Sequence, residues 1–295
     1  MLDVLCIGHA SYDITMAASH HPEANEKILA DAMQLNGGGP AANASVCVAR
    51  LGGKAGFCGY LSNDLFGTAH CHEFETEGVD TSLIVRGNHP SPLSQILAKP
   101  DGARSVVNFK ADTPWLNADA VKISQTPKVI LFDGHEPLIS MRLCQWAETN
   151  SIPTVLDAGS LHQGTRNLAG AVDYLVASEQ FARQFSGSDD MHAAMKMMEE
   201  TSSCVVITMG EKGLIWSKGG DTGGMDAFTV DVIDSTGSGD AFHGAFAYGL
   251  SLGMNWQALL RYASAAAALT CTKLGAQIAL PDTSQVYRLL HKPLA

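Results

Sequence analysis

Asp234-Ser235-Thr236-Gly237-Ser238-Gly239-Asp240, continuing as Ala241-Phe242-His243-Gly244-Ala245-Phe246, lies between two different patterns. Upstream, Phe228-Thr229-Val230-Asp231-Val232-Ile233 alternates and is rich in β-branched residues, which predicts a strand. Downstream, Ala241, Phe242, Ala245, Phe246 and Gly249-Leu250 recur at helical spacing. The glycines are therefore expected on a strand-to-helix turn, where Gly237 and Gly239 permit positive φ and let the backbone approach a ligand. The first helical turn points unpaired N–H groups and a positive dipole end at whatever sits there, which makes an anion site. Asp240 at the same helix start suits a general base that takes a proton from a hydroxyl as a phosphoryl group arrives. Turn-making and capping alone would also explain these residues. No Gly-Lys-Ser/Thr follows, so this is not a Walker loop.

The rest of the chain supplies a setting for that turn. From Val129 onward strands and helices alternate: strands at Val129–Phe132, Thr154–Asp157, Tyr174–Ala177 and Val205–Thr208, helices at Ile139–Asn150, Glu179–Phe185 and Met191–Glu200. Gly213 to Ser217 begins a hairpin expected to end at Ile233. Val4–Ile7 and Lys54–Leu61 read as further buried strands, Ala44–Leu51 and Phe66–Glu77 as helices, and Thr81–Val85 as a strand. The pattern predicts one doubly wound α/β domain over residues 1–295, a mostly parallel sheet with helices on both faces. Residues 14–36, with one or two short strands from Lys27 to Leu35, and 93–110, a hairpin turning at Pro100-Asp101-Gly102, would form a small β lid. That lid is expected to close over a ligand and to pair two subunits through its edge.

Composition narrows the function. The 295 residues are 46% hydrophobic and 17% charged, ordinary for a globular protein, with a net charge of −11. That charge argues against non-specific nucleic-acid binding. Seven scattered cysteines, with no C-x-x-C, are expected as buried free thiols in a reducing cytoplasm. His70-Cys71-His72 is a poor ligand set, because neighbours on a helix point different ways. No signal peptide is read at Met1-Leu2-Asp3, and no apolar run is long enough to span a membrane.

Asp-Ser-Thr-Gly-Ser-Gly-Asp at 234–240 resembles the Asp-Thr-x-Gly-Ala-Gly-Asp signature of the ribokinase-like (PfkB) carbohydrate kinases. Gly37-Gly38-Gly39-Pro40-Ala41-Ala42-Asn43 resembles the family's Gly-Gly-x-x-x-Asn stretch, and Thr208-Met209-Gly210-Glu211-Lys212-Gly213 its Thr-x-Gly-x-x-Gly stretch. The resemblance implies an ATP-dependent sugar kinase that uses Mg²⁺. It gives Asp240 the role of base, and Gly237, Ser238 and Gly239 that of anion hole. Asp13, Gly38, Gly39 and Asn43 would meet the sugar. Ser178, Glu179, Thr208, Gly210, Gly213, Gly239 and Gly275 would lie along the nucleotide. Asp234 and Thr236 stand where relatives hold a monovalent cation such as K⁺, although Ala279 lacks the oxygen side chain that some relatives have. The usual Asn-x-x-Glu is replaced by Ser178-Glu179-Gln180-Phe181, leaving Glu179 to support Mg²⁺ through water. Gly-Gly-Gly-Pro-Ala with Lys27 and Asn108 is more similar to ketose kinases, including the sulfofructose kinase branch, than to ribokinase proper. Lys27 or His135 would meet an anionic substituent if the acceptor carries one. A nucleoside kinase of the same family and a non-catalytic sugar- or nucleotide-binding regulator are the alternatives.

Overall fold

The computed structural model describes residues 1–100, 104–110 and 112–291. Thirteen strands are assigned in chain order among them: β1 Val4–Ile7, β2 Ser11–Ala17, β3 Ala32–Gly38, β4 Ala55–Ser62, β5 Asp80–Gly87, β6 Leu93–Ala98, β7 Arg104–Phe109, β8 Val129–Phe132, β9 Thr154–Ala158, β10 Tyr174–Ser178, β11 Cys204–Thr208, β12 Leu214–Lys218 and β13 Asp221–Met225. The helices are α1 Pro40–Arg50, α2 Leu65–Thr76, α3 Pro137–Thr149, α4 Gln163–Leu168, α5 Glu179–Ser186, α6 Met191–Glu199, α7 Ser238–Ser251, α8 Trp256–Thr270 and α9 Thr283–Leu290.

Nine strands make one sheet in the order β13-β12-β11-β10-β9-β8-β1-β4-β5. Its strands run parallel from β11 to β5, and the β12–β13 hairpin closes one edge antiparallel. The short apolar strands are buried on both faces, as parallel strands under crossover helices must be. Alternate residues serve opposite cores. Val4, Cys6, Val129, Leu131, Val176 and Val206 pack with α1, α7 and α8, whereas Leu5, Ile7, Ile130, Phe132, Leu175 and Ile207 pack with α3 to α6. Fully buried side chains such as Phe132, Phe181 and Phe246 each contribute roughly 1.5–3 kcal/mol by leaving water. Helices α1 and α7 lie close because small residues face each other: a Cβ on Gly244 would sit 2.7 Å from the Ala44 carbonyl oxygen.

The second sheet is the expected lid, ordered β3-β2-β6-β7. Its register aligns Asn36, Asp13, Ser94 and Asn108 across the four strands, so these polar residues share one face. Met33, Leu35 and Val107 belong to the other face and are exposed. Asp101 and Gly102 of the expected turn lie outside the described residues.

Several expectations need correction. Residues 226–233 form no strand, because β13 takes the place beside β12 and the hairpin ends at Met225. That segment runs unpaired along the sheet's end, held at Ile233 N–H and Asp234 N–H by the Cys271 carbonyl. The glycine turn is thus entered from a loop. Residues 27–31 are not strand, α1 starts earlier at Pro40, and helices α4 and α9 carry no anticipated signal. All seven cysteines are free, five of them buried.

Candidate active site

Gly237 is the N-cap of α7 with a left-handed φ of 76°. A side chain there would be strained, and its Cβ would strike Ala276 at 2.7 Å. Gly239 does not share this conformation, contrary to expectation. It is the second helical residue, its φ is not positive, and a Cβ built on it meets nothing within 4 Å. Gly237 therefore makes the turn, and Gly239 leaves open space before the helix start. The N–H groups of Gly239 and Asp240 carry no protein hydrogen bond among the described residues, whereas Ser238 N–H is engaged with the Ser235 carbonyl at 3.3 Å. The N–H groups open to a ligand here are thus those of the second and third helical residues.

Asp240 is met by a side chain from the other end of the chain. Asn43 Nδ2 donates to its Oδ2 at 2.6 Å. Asn43 Oδ1 is buried and has no hydrogen-bond partner among the described residues. Burial pushes Asp240 up from the ordinary carboxylate range, and the Asn43 bond and the neighbouring His243 oppose that shift.

The three glycines before α1 are filled by protein atoms. A Cβ on Gly37 would enter the His70 ring, one on Gly38 would reach the Asp13 carboxylate at 2.2 Å, and one on Gly39, with φ of 100°, would strike the His9 carbonyl. Asp13 is thereby seated on β2, where its Oδ1 accepts from Ser11 Oγ at 3.1 Å. Desolvation raises its pKa to about 6, with the charges of Asp240 and Glu73 adding to the rise and hydrogen bonds from Ser11 and Ser94 opposing it. Asp13 faces the same side as Asn108 through the lid register, but Asn108 itself is exposed. Lys27 lies in the exposed loop between β2 and β3 and makes no hydrogen bond or ion pair with the other candidates.

On the far side of the turn is a cleft of about 540 Å³, lined by Thr208, Gly210, Gly213, Ser238 and Gly239 together with the unpaired 227–232 segment. Gly239 is thus shared between cleft and helix start, the relation expected of a nucleotide whose last phosphate reaches the acceptor. Ser178 and Glu179 are engaged elsewhere. Ser178 Oγ caps α5 by accepting from Phe181 N–H at 3.0 Å, and Glu179 pairs with Arg183 at 2.8 Å and Lys212 at 3.4 Å. Phe181 is wholly buried in the core beside Phe185, which explains an apolar residue at the place of a second acid.

Asp234 is 1% exposed and ties loops together. Its Oδ1 accepts from Thr236 N–H at 2.9 Å and Thr236 Oγ1 at 2.6 Å, and its Oδ2 accepts from Gly275 N–H at 2.9 Å. The carbonyls of Gln277 and Leu280 accept from Arg50 Nη1 at 2.7 and 3.1 Å. These oxygens all accept hydrogen bonds from protein, and no step is assigned to a monovalent cation. Gly275 packs against Gln34 of the lid rather than lining the cleft.

Some residues escaped the sequence reading. Arg104 on β7 reaches across to bond Ser235 Oγ, and its charge lowers the Asp240 pKa. Its spacing of four from Asn108 put both on one side of a strand, a signal available in the sequence. Asp133, just past β8, is buried and accepts from the N–H groups of His9, His135 and Ala41 at 2.7, 2.8 and 3.2 Å. His135, which the sequence offered as a partner for an anionic substituent, stands between His9 and His162 past the ends of β1, β8 and β9, tilted 45° to His9 at 5.1 Å between ring centroids and stacked on His162 at 4.6 Å.

A polar sheet face, a buried carboxylate beside an open helix start and a cleft of about 540 Å³ fit a phosphotransferase with an alcohol group as acceptor. The comparisons agree. A family model described as pfkB family carbohydrate kinase matches residues 1–283, and the chain belongs to that family. It is 27% identical over 295 residues to a ribokinase of Bacillus subtilis, covering 98% of this chain and all of that one. It is 26% identical to fructokinase-1 of Zea mays, covering 86% of this chain and 88% of the relative. The fold matches Arabidopsis thaliana ribokinase complexed with ribose and ATP with a TM-score of 0.84 at 23% identity, over 98% of this chain and 99% of that one. It also matches an adenosine kinase from Sinorhizobium meliloti with a TM-score of 0.81 at 21% identity, over 97% and 98%. The chain is a sugar or nucleoside kinase of the pfkB family, and the fold alone does not choose the acceptor.

Proposed function

We propose that this chain transfers the γ-phosphoryl group of ATP to a primary hydroxyl of a ketose or related small sugar. The single observation that carries the reading is the 2.6 Å bond from Asn43 to Asp240, which joins the acceptor side to the base beside the open turn. Asp240 takes the proton as the hydroxyl oxygen attacks phosphorus. The bond from phosphorus to the ADP oxygen breaks, and the Gly239 and Asp240 N–H groups with Arg104 hold the developing charge. Asp13, Asn43 Oδ1, Ser94 and Asn108 supply hydrogen-bond partners for sugar hydroxyls. Mg²⁺ would be held chiefly by the nucleotide and would neutralise phosphate charge, with Glu179, paired with Arg183 and Lys212, meeting it only through water.

The polar row on the lid favours a sugar over the flat apolar surface of a nucleobase. Burial, the neighbouring His135 and the charge of Lys110 hold His9 and His162 below the ordinary imidazole range, so these rings offer the acceptor neutral hydrogen-bonding groups. A phosphorylation screen over neutral ketoses, ribose, anionic ketoses and nucleosides tests the reading. ADP release is expected fastest with ketoses, and Asp240→Asn should lower kcat by about 10²–10⁴. Turnover of nucleosides alone, or an Asp240→Asn variant within tenfold of wild type, sinks it.

Exposed Met33, Leu35 and Val107 on the outer face of the lid support a homodimer through this sheet. Light scattering should give twice the chain mass, and a monomer that retains full activity would remove the idea.

A further inference from the structure

His243 has no part in the chemistry described so far. It lies three residues past Asp240 on α7 and is 2% exposed. Its Nδ1 is 2.6 Å from the carbonyl oxygen of Gly239, and its Nε2 is 3.1 Å from that of Val176 on β10. A carbonyl oxygen only accepts. A neutral imidazole offers one N–H and one lone pair, so one contact would set lone pair against lone pair in a closed interior. Both contacts are hydrogen bonds only if both nitrogens carry protons.

The counter-charge stands beside it. Asp157 on β9 places Oδ2 3.3 Å from His243 Nδ1, and that oxygen has no hydrogen bond to another described residue. Burial is the largest influence and on balance lowers the His243 pKa, while the bonds to Val176 and Gly239 and the Asp240 carboxylate work for the charged ring. Burial, Asp240 and Asp133 push Asp157 up. A neutral ring would leave buried carboxylates facing one another, together with a carbonyl 2.6 Å from a lone pair. The short contact decides for the charged ring. The other charged group acting here is Arg104 from the lid.

We propose that His243 is a positioning residue for phosphoryl transfer: a buried imidazolium, paired with Asp157, that fixes the first turn of α7 through the Gly239 carbonyl and keeps Asp240 ionised. The kinetic half rests on Asp240 being the base, and the charge state does not. Nitrogen NMR on the full chain carrying labelled histidine reads the charge directly. Both ring nitrogens are expected to stay protonated at pH 8, and a neutral tautomer at that pH overturns the proposal even if the chain phosphorylates no sugar tested. In His243→Gln the acid limb of kcat should move up by about one pH unit while sugar KM stays within about threefold. An equal fall in kcat at every pH, with the limb in place, reduces His243 to a structural residue. Should that variant fail to fold, Asp157→Asn serves: it is expected to render His243 neutral at pH 8, and an unchanged imidazolium refutes the pairing.

Discussion

The glycines before α1 and those before α7 look alike in sequence and do opposite work. At Gly37, Gly38 and Gly39 each missing side chain is replaced by protein: the His70 ring, the Asp13 carboxylate and the His9 carbonyl. At the second turn only Gly237 is hemmed in, against Ala276, and Gly239 faces open space. The first run is a mould filled by protein groups, which on the proposed function meet the acceptor. The second combines one left-handed turn residue with one position open to space. A glycine's neighbours, rather than its motif, tell which of these it is.

Gly239→Ala is the strongest way to break this comparison. Its helical φ and free surroundings predict an unchanged or slightly raised melting temperature, since alanine is the better helix former by roughly 0.5–1 kcal/mol. Turnover should nonetheless fall by about 10²-fold, because the methyl group occupies the approach to the helix N–H groups. A normal rate would make the turn structural. Gly38→Ala should fold with its damage on the other substrate. Displacing the Asp13 carboxylate should raise sugar KM by about tenfold or more and leave nucleotide KM in place. Loss of nucleotide affinity instead would show that the two runs are not separate in function.

The smallest effect is graded by pH. Asp13 titrates near 6, above its unfolded value of 3.8. The folded state therefore holds a proton that the unfolded chain has released between these values. Ionised Asp13 costs stability above pH 6, and that cost disappears as pH falls through 6 towards 3.8. Acceptor binding should run the other way, because sugar hydroxyls need the ionised form. Sugar KM should climb by up to about tenfold per pH unit below 6. Asp13→Asn should flatten that limb, and a limb that survives the substitution belongs to another group.

Much of the frame was legible because parallel strands buried on both faces must be short apolar runs, as at Val4–Ile7, Val129–Phe132 and Val205–Ile207. The lid was legible from alternation in 93–109. Residues 228–233 misled because alternation reports a half-exposed surface and not a partner, and the glycine-rich β13 took the sheet edge despite weak strand propensity. The glycine runs at 37–39 and 237–239 were readable as local patterns. Arg104 over Ser235, and His243 against Val176, depend on contacts across 131 and 67 residues of chain. Spacing told which face Arg104 shares, and the fold alone sets the partner it meets.

Asn43 and Asp240 are separated by 197 residues, and α1 packs its small apolar face, Ala41 to Val48, against α7. During synthesis at about 5–20 residues per second, that face waits roughly 10–40 s for its partner. The nascent chain therefore carries an uncovered helix surface until α7 is made, and the fold closes around the site only with its late helices.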